Sequence, residues 1–179
     1  MVGVVMEDMK IHRCTIEDLK SLQEISRQTF AETFGPYNTD EHIKEYLERS
    51  YNDEVLGSEL RESNSEFYFL MFDGKPVAYL KLNFGMNTLG YDAEEGNMEL
   101  QRIYVLKEYY RHGFGKILFD KAVQEARDKK RTSICLGVWE HNDRALSFYT
   151  SMGFKKVSSH IFHMGDKPQT DYVLNMELN

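Results

Sequence analysis

Ile103-Tyr104-Val105 leads through Tyr109-Tyr110-Arg111-His112-Gly113-Phe114-Gly115-Lys116 into an apolar helical pattern. A strand ends, a basic glycine-containing turn follows, and a helix begins. The first N–H groups of that helix have no partner inside it, and the helix dipole makes its start positive. Gly113 and Gly115 remove the Cβ atoms that would keep an anion away from those amides, so the turn reads as a phosphate cradle. Two well-known cradles are excluded. A dinucleotide fingerprint needs a third glycine where Leu118 stands, and a P-loop needs Ser or Thr where Ile117 stands.

On both sides of this stretch, helical and extended patterns alternate. A strand near 10–14 meets Thr15-Ile16-Glu17-Asp18, where a Thr cap and an acid three residues on open a helix carrying Leu19, Leu22 and Ile25. Thr39 precedes a second helix with Ile43, Tyr46 and Leu47 on one face, and Val55, Leu56 and Leu60 mark a third. FYFLMF at 67–72, the turn Asp73-Gly74 and VAYLKLNF at 77–84 read as a hairpin of mostly buried strands. Residues 85–98 lack periodicity, hold Gly85, Gly90 and Gly96, and are expected to form a mobile acidic loop before a strand at about 98–106. A helix over about 113–130 and an apolar strand at 133–138 follow. Asn142 caps a helix whose face is Ala145, Leu146, Phe148, Tyr149 and Met152, and Gly153 stops it. Strands near 155–164 and 170–178 close the chain. With both helix crossovers and hairpins present, the class is α/β with a mixed sheet.

Composition narrows the function. The 179 residues are 41% hydrophobic, with 3 Pro and no low-complexity linker, which predicts one domain over 1–179 after a loose tail over 1–8. A net charge of −7, from 29 acidic against 22 basic residues, disfavours nucleic acid and favours a cationic partner. No apolar run is long enough for a membrane span or a signal peptide, so a reducing cytoplasm is the default. Cys14 and Cys135 lie far apart with no CxxC, and His160 and His163 are expected to face opposite sides of a strand, so neither disulfide nor metal is expected.

A second stretch sharpens the first. Leu136-Gly137-Val138-Trp139-Glu140-His141-Asn142-Asp143-Arg144-Ala145-Leu146-Ser147-Phe148-Tyr149, closing on Met152-Gly153-Phe154, resembles the second half of the acetyl-CoA site of the GNAT N-acetyltransferase superfamily. Its pattern there is a strand, then Asn-x-x-Ala-x-x-Phe-Tyr on a helix, then Gly-Phe opening the next strand. The glycine turn upstream resembles that superfamily's pyrophosphate loop, except that the first position, Arg or Gln in the pattern, is Tyr110, with Arg111 one place later. The resemblance implies the GNAT fold, a mostly antiparallel sheet of about seven strands flanked by helices and splayed between the fourth and fifth.

It also implies acetyl-CoA as co-substrate. Backbone groups of Ile103, Tyr104 and Val105 would pair with the pantetheine arm. Arg111, His112, Gly113, Phe114, Gly115 and Lys116 would surround the pyrophosphate, and Asn142 would contact the pantetheine side. Transfer of acetyl from a thioester to an amine needs a base for the amine, a donor for the oxyanion and a proton for the departing thiolate. Tyr149 is the expected acid, a strand N–H near Tyr104 or Val105 the oxyanion donor, and Glu99 the expected base, with Glu140 as second candidate.

Further segments, Thr29–Phe34 and Asn38-Thr39 near the start and Gly165-Asp166 with 169–172 near the end, resemble the bacterial spermidine/spermine branch. A polyamine is a flexible cation with apolar spacers, and its pocket wants carboxylates among aromatics; Glu32, Phe34, Tyr37 and Glu140 are the expected contacts, with Asp92, Glu94 and Glu95 supplying further acid. The expected partner is thus a small amine, and members of the superfamily often pair as homodimers. Acetylation of a peptide amine or another small amine, and a non-catalytic CoA-binding module, stand as alternatives.

Overall fold

The computed structural model describes residues 8–179, so most of the tail expected over 1–8 lies outside it. Seven strands form one mixed sheet: β1 (Met9–Arg13), β2 (Ser65–Phe72), β3 (Lys75–Phe84), β4 (Asn97–Val105), β5 (Ser133–Trp139), β6 (Lys155–Met164) and β7 (Lys167–Glu177), in the order β1-β2-β3-β4-β5-β7-β6. Five helices accompany it: α1 (Leu19–Phe34), α2 (Asp40–Ser50), α3 (Asp53–Arg61), α4 (Phe114–Asp128) and α5 (Asp143–Ser151). The described residues divide into two compact units, one running to Lys81 and including Arg102–Lys121, the other made of Leu82–Gln101 and Ala122–Asn179.

In the first unit, Asp73 (φ 51°) and Gly74 (φ 75°) occupy the left-handed region that a tight β-hairpin turn needs, which is why Asp-Gly links β2 to β3. Thr15 and Asp18 form a capping box, but it closes a 3-10 turn over Ile16–Asp18, and α1 starts only at Leu19. Leu22, Ile25 and Phe30 of α1 and Leu56 of α3 are buried. Phe30 stacks on Tyr46 with ring centroids 4.2 Å apart. Ions are buried here as well. Arg102 forms a two-pronged pair with Glu59 (2.7 and 3.1 Å), and Lys81 adds a contact to the same carboxylate at 3.0 Å. Arg102 also lies over the Tyr51 ring at 5.1 Å.

In the second unit, β4 and β5 pair in parallel across α4, over only three residues of each strand: Asn97 with Ser133, Met98 with Ile134 and Glu99 with Cys135. Both strands run on past these three pairs. β5 pairs antiparallel with β7 along its whole length. β6 is the outermost strand, and its register against β7 shifts between Lys156 and Ser158, leaving Val157 as a bulge. Asn97 ties three strands together, donating to Ser133 Oγ (2.6 Å) and Asn175 Oδ1 (3.0 Å). Among the described residues no helix is long and apolar enough to cross a membrane.

Candidate active site

The glycine turn lies in the first unit. Leu106 N–H donates to the Val77 carbonyl (2.9 Å), holding the end of β4 to β3. A 3-10 turn over Lys107–Tyr109 follows, with the Tyr109 ring packed against Phe72 and Phe114. The backbone then enters the left-handed region twice, at Arg111 (φ 67°) and Gly113 (φ 78°), before α4 starts at Phe114. A Cβ on Gly113 would meet nothing within 4 Å, so the space over the first amides of α4 is open. The open space at the start of α4 and the nearby Arg111 side chain, exposed and unpaired among the described residues, fit a diphosphate. His112 instead donates from Nδ1 to the Tyr109 and Tyr110 carbonyls (3.0 Å each) and so braces the turn. Lys116 pairs with Asp120 one turn along at 2.6 Å.

Glu32 and Phe34 also belong to this unit. The Glu32 carboxylate accepts the Lys107 N–H at 3.3 and 3.4 Å, so it faces the turn after β4. Phe34 packs on Phe30 (4.6 Å), and Tyr37 is exposed.

The acid–base candidates lie in the second unit. Tyr149, on α5, is 7% exposed and sits between the rings of Phe148 and Phe154, 5.3 and 5.5 Å away. Burial holds its phenol well above the usual tyrosine range, so it stays protonated through neutral pH. Asn142 accepts the Ala145 N–H on Oδ1 (3.2 Å), as a helix cap does, which leaves its amide nitrogen for a ligand. Glu140 meets Tyr172 Oη and His141 Nε2, each at 3.5 Å.

Glu99 is 1% exposed and firmly held. Its Oε1 accepts from Asn83 Nδ2 (2.7 Å) and the Thr88 N–H (3.0 Å), and its Oε2 accepts from Thr88 Oγ1 (2.7 Å). A carboxylate has about four lone-pair sites, so about one, on Oε2, is left for a water. Thr88 belongs to the aperiodic 85–96 segment, which takes a defined course: Asn87 Oδ1 accepts the N–H groups of Leu89 and Tyr91, and Leu89 lies against Gly137. Asn83 and Thr88 were not among the residues expected at the site. Asn83, with Lys81 one of two polar residues in the otherwise apolar run VAYLKLNF, is the available signal. Cys135, opposite Glu99, is pushed up to about 12 by burial and by that carboxylate, so it remains a thiol and is no nucleophile.

The Acetyltransferase (GNAT) family profile matches residues 19–154. The chain belongs to the GNAT family. An N-acetyltransferase of Lactobacillus delbrueckii subsp. lactis, encoded in the pepI 3' region and uncharacterized, is 39% identical over 173 residues, spanning 97% of this chain and 99% of that protein. The spermidine N(1)-acetyltransferase of Thermoplasma acidophilum is 28% identical over 151 residues, 82% of this chain and 88% of its own. In fold, the PaiA N-acetyltransferase of Thermoplasma acidophilum, solved in complex with coenzyme A, superimposes with a TM-score of 0.77 at 24% identity, covering 95% of this chain and 99% of the other. The protein is therefore an acetyl-CoA-dependent GNAT N-acetyltransferase.

Proposed function

We propose that this GNAT enzyme acetylates a primary amine of a polyamine such as spermidine or spermine, by direct attack of the amine on the thioester. The observation that carries the catalytic part is the buried, protonated phenol of Tyr149 on the capped helix α5. Acetyl-CoA, when bound, supplies the activated acetyl group. Backbone groups of Ile103, Tyr104 and Val105 bind its amide chain in the manner of an added strand. Arg111, Gly113, Phe114, Gly115 and Lys116 hold the diphosphate, with His112 bracing the turn, and the amide nitrogen of Asn142 faces the pantetheine side. Tyr149 donates a hydrogen bond where charge builds on sulfur. Glu99 receives the amine's proton through water on its remaining Oε2 site, and Glu140 is the second candidate for that task. Glu32, Phe34, Tyr37 and Glu140 contact the acceptor. With Cys135 locked as a thiol, a covalent acyl-enzyme has no support there. The polyamine reading draws on the acidic balance of the chain and on its similarity to a spermidine N(1)-acetyltransferase.

The test is thiol release from acetyl-CoA against a panel of amines. Spermidine should exceed lysine-containing peptides in kcat/KM, and added salt should raise its KM; the reverse ranking would assign the enzyme to peptide amines. Glu99→Gln should lower kcat at least tenfold at pH 7, the gap closing as pH rises toward ~10.4, where the free amine loses its own proton. A constant gap across pH would make Glu99 a positioning residue. Arg111→Gly removes the guanidinium and relieves its left-handed backbone. The KM for acetyl-CoA should rise about tenfold, the equivalent of roughly 1.4 kcal/mol, with unchanged or higher Tm. An unchanged KM would leave binding to the amides alone.

A further inference from the structure

Alternation along β7 turns Gln169, Asp171 and Val173 to one face of the sheet, and the registers carry that face onto the neighbouring strands. Asp171 stands opposite Trp139 on β5 and His160 on β6, and Gln169 opposite Phe162. Gly137, opposite Val173, and Cys135, opposite Glu99, continue the face to the carboxylate that Thr88 holds. All of these residues belong to the second unit. On β6 this is the covered side: Ser158, His160 and Phe162 are half-buried and Met164 buried, between exposed Val157, Ser159, Ile161 and His163.

Two polar groups on this face have nothing to bond among the described residues. Gln169 is 5% exposed, and neither its Oε1 nor its Nε2 has a hydrogen-bond partner among the described residues. A dry, unpaired carboxamide costs free energy, and a glutamine kept there calls for a functional explanation. Asp171, two residues along, is half-buried and makes no hydrogen bond or ion pair among the described residues. Burial pushes its carboxyl up to about 6, with only His160 pulling the other way, as befits an anion short of both solvent and counter-charge.

β5 carries a glycine beside them. Gly137 sits mid-strand without the positive φ that would demand glycine for its backbone. A Cβ there would lie 2.7 Å from Leu89 Cδ2 and 3.8 Å from Asp171 Oδ2, so the glycine is what lets the Leu89 side chain pack onto the strand beside Asp171.

We infer that Asp171 and Gln169, flanked by Trp139 and Phe162, form a subsite for an alkylammonium group of the acceptor, the one that is not acetylated. Asp171 takes the charge, Gln169 Oε1 accepts a second N–H of the same ammonium, and the two rings cover the methylenes. This deepens the polyamine reading and rests on it, since an acceptor with one nitrogen has no second cation to place.

The test compares the full-length wild type with Asp171→Asn and Gln169→Met, using spermidine and, as a single-cation control, butylamine. Calorimetry gives the Kd of each amine, and thiol release gives kcat and KM. Asp171→Asn removes an unpaired charge and Gln169→Met an unpaired amide, so both variants should fold at least as stably as wild type. Asp171→Asn should weaken spermidine at least tenfold in Kd and KM, while butylamine and acetyl-CoA stay within twofold. Unchanged spermidine affinity overturns the subsite, and so does an equal loss for both amines. If spermidine binds through Asp171 but the wild type does not acetylate it, the subsite stands and the polyamine reaction falls. If the wild type neither binds nor acetylates it, both fall.

Discussion

Tyr149→Phe should leave acetyl-CoA binding nearly unchanged and lower kcat by roughly 10²-fold or more, about 2.7 kcal/mol of transition-state stabilisation. The expectation rests on what the exchange preserves. The ring stays between Phe148 and Phe154, so packing is kept and only the hydroxyl is lost. Magnitudes also say how the hydroxyl acts. Free thiols ionise near ~8.5, whereas burial holds this phenol well above 10. Complete transfer of its proton to a thiolate would run uphill, so its contribution is a hydrogen bond that strengthens as sulfur becomes negative. The raised value also fixes the pH dependence. A group held protonated is available at all lower pH and is lost only as pH rises through its folded value, so kcat should show no decline from Tyr149 below pH ~10. An unchanged rate in the Phe variant would remove Tyr149 from the mechanism.

Glu59→Gln should cost about 3–5 kcal/mol of stability, since it leaves two buried cations, Arg102 and Lys81, around a neutral side chain. For a chain of this size that is a fall in Tm of roughly 10 °C. Burial alone would raise the Glu59 carboxyl, but Arg102 and then Lys81 outweigh it and bring the group below its ordinary 4.5. Because the folded value is the lower one, the stabilisation is complete above pH 4.5 and is lost as pH falls through the folded value. Wild type and variant should thus differ in chemical denaturation at pH 7 and converge only in acid. Equal stability at pH 7 would mean that the triad is hydrated. Arg102 immediately precedes Ile103–Val105, so the same anchor fixes the strand end that leads into the anion turn.

Much of this arrangement is local and therefore legible in sequence. Asp73-Gly74 specifies its hairpin, Thr39 and Asn142 cap their helices, and the glycine turn opens α4 as expected. What escapes the sequence is long-range pairing. Lys81 and Asn83 interrupt an apolar strand, but nothing nearby reveals that Glu59 and Glu99 are their partners. Residues 85–96 have no period because their course is set by Asn87 turning on itself and by Thr88 and Leu89 meeting Glu99 and Gly137. Thr15 shows the converse: its capping box forms, but it closes a 3-10 turn ahead of the helix. Glu32, besides its proposed contact with the acceptor, accepts a backbone N–H, a role that only the folded chain exposes.

The bulge at Val157 has a bearing on solubility. As one of the two edge strands of the sheet, β6 offers a row of backbone donors and acceptors onto which another extended chain could dock. The extra residue after Lys155 and Lys156 breaks the spacing of that row, and the lysines add like-charge repulsion between approaching copies. Deleting Val157 would restore an even border and invite fibrous growth from it.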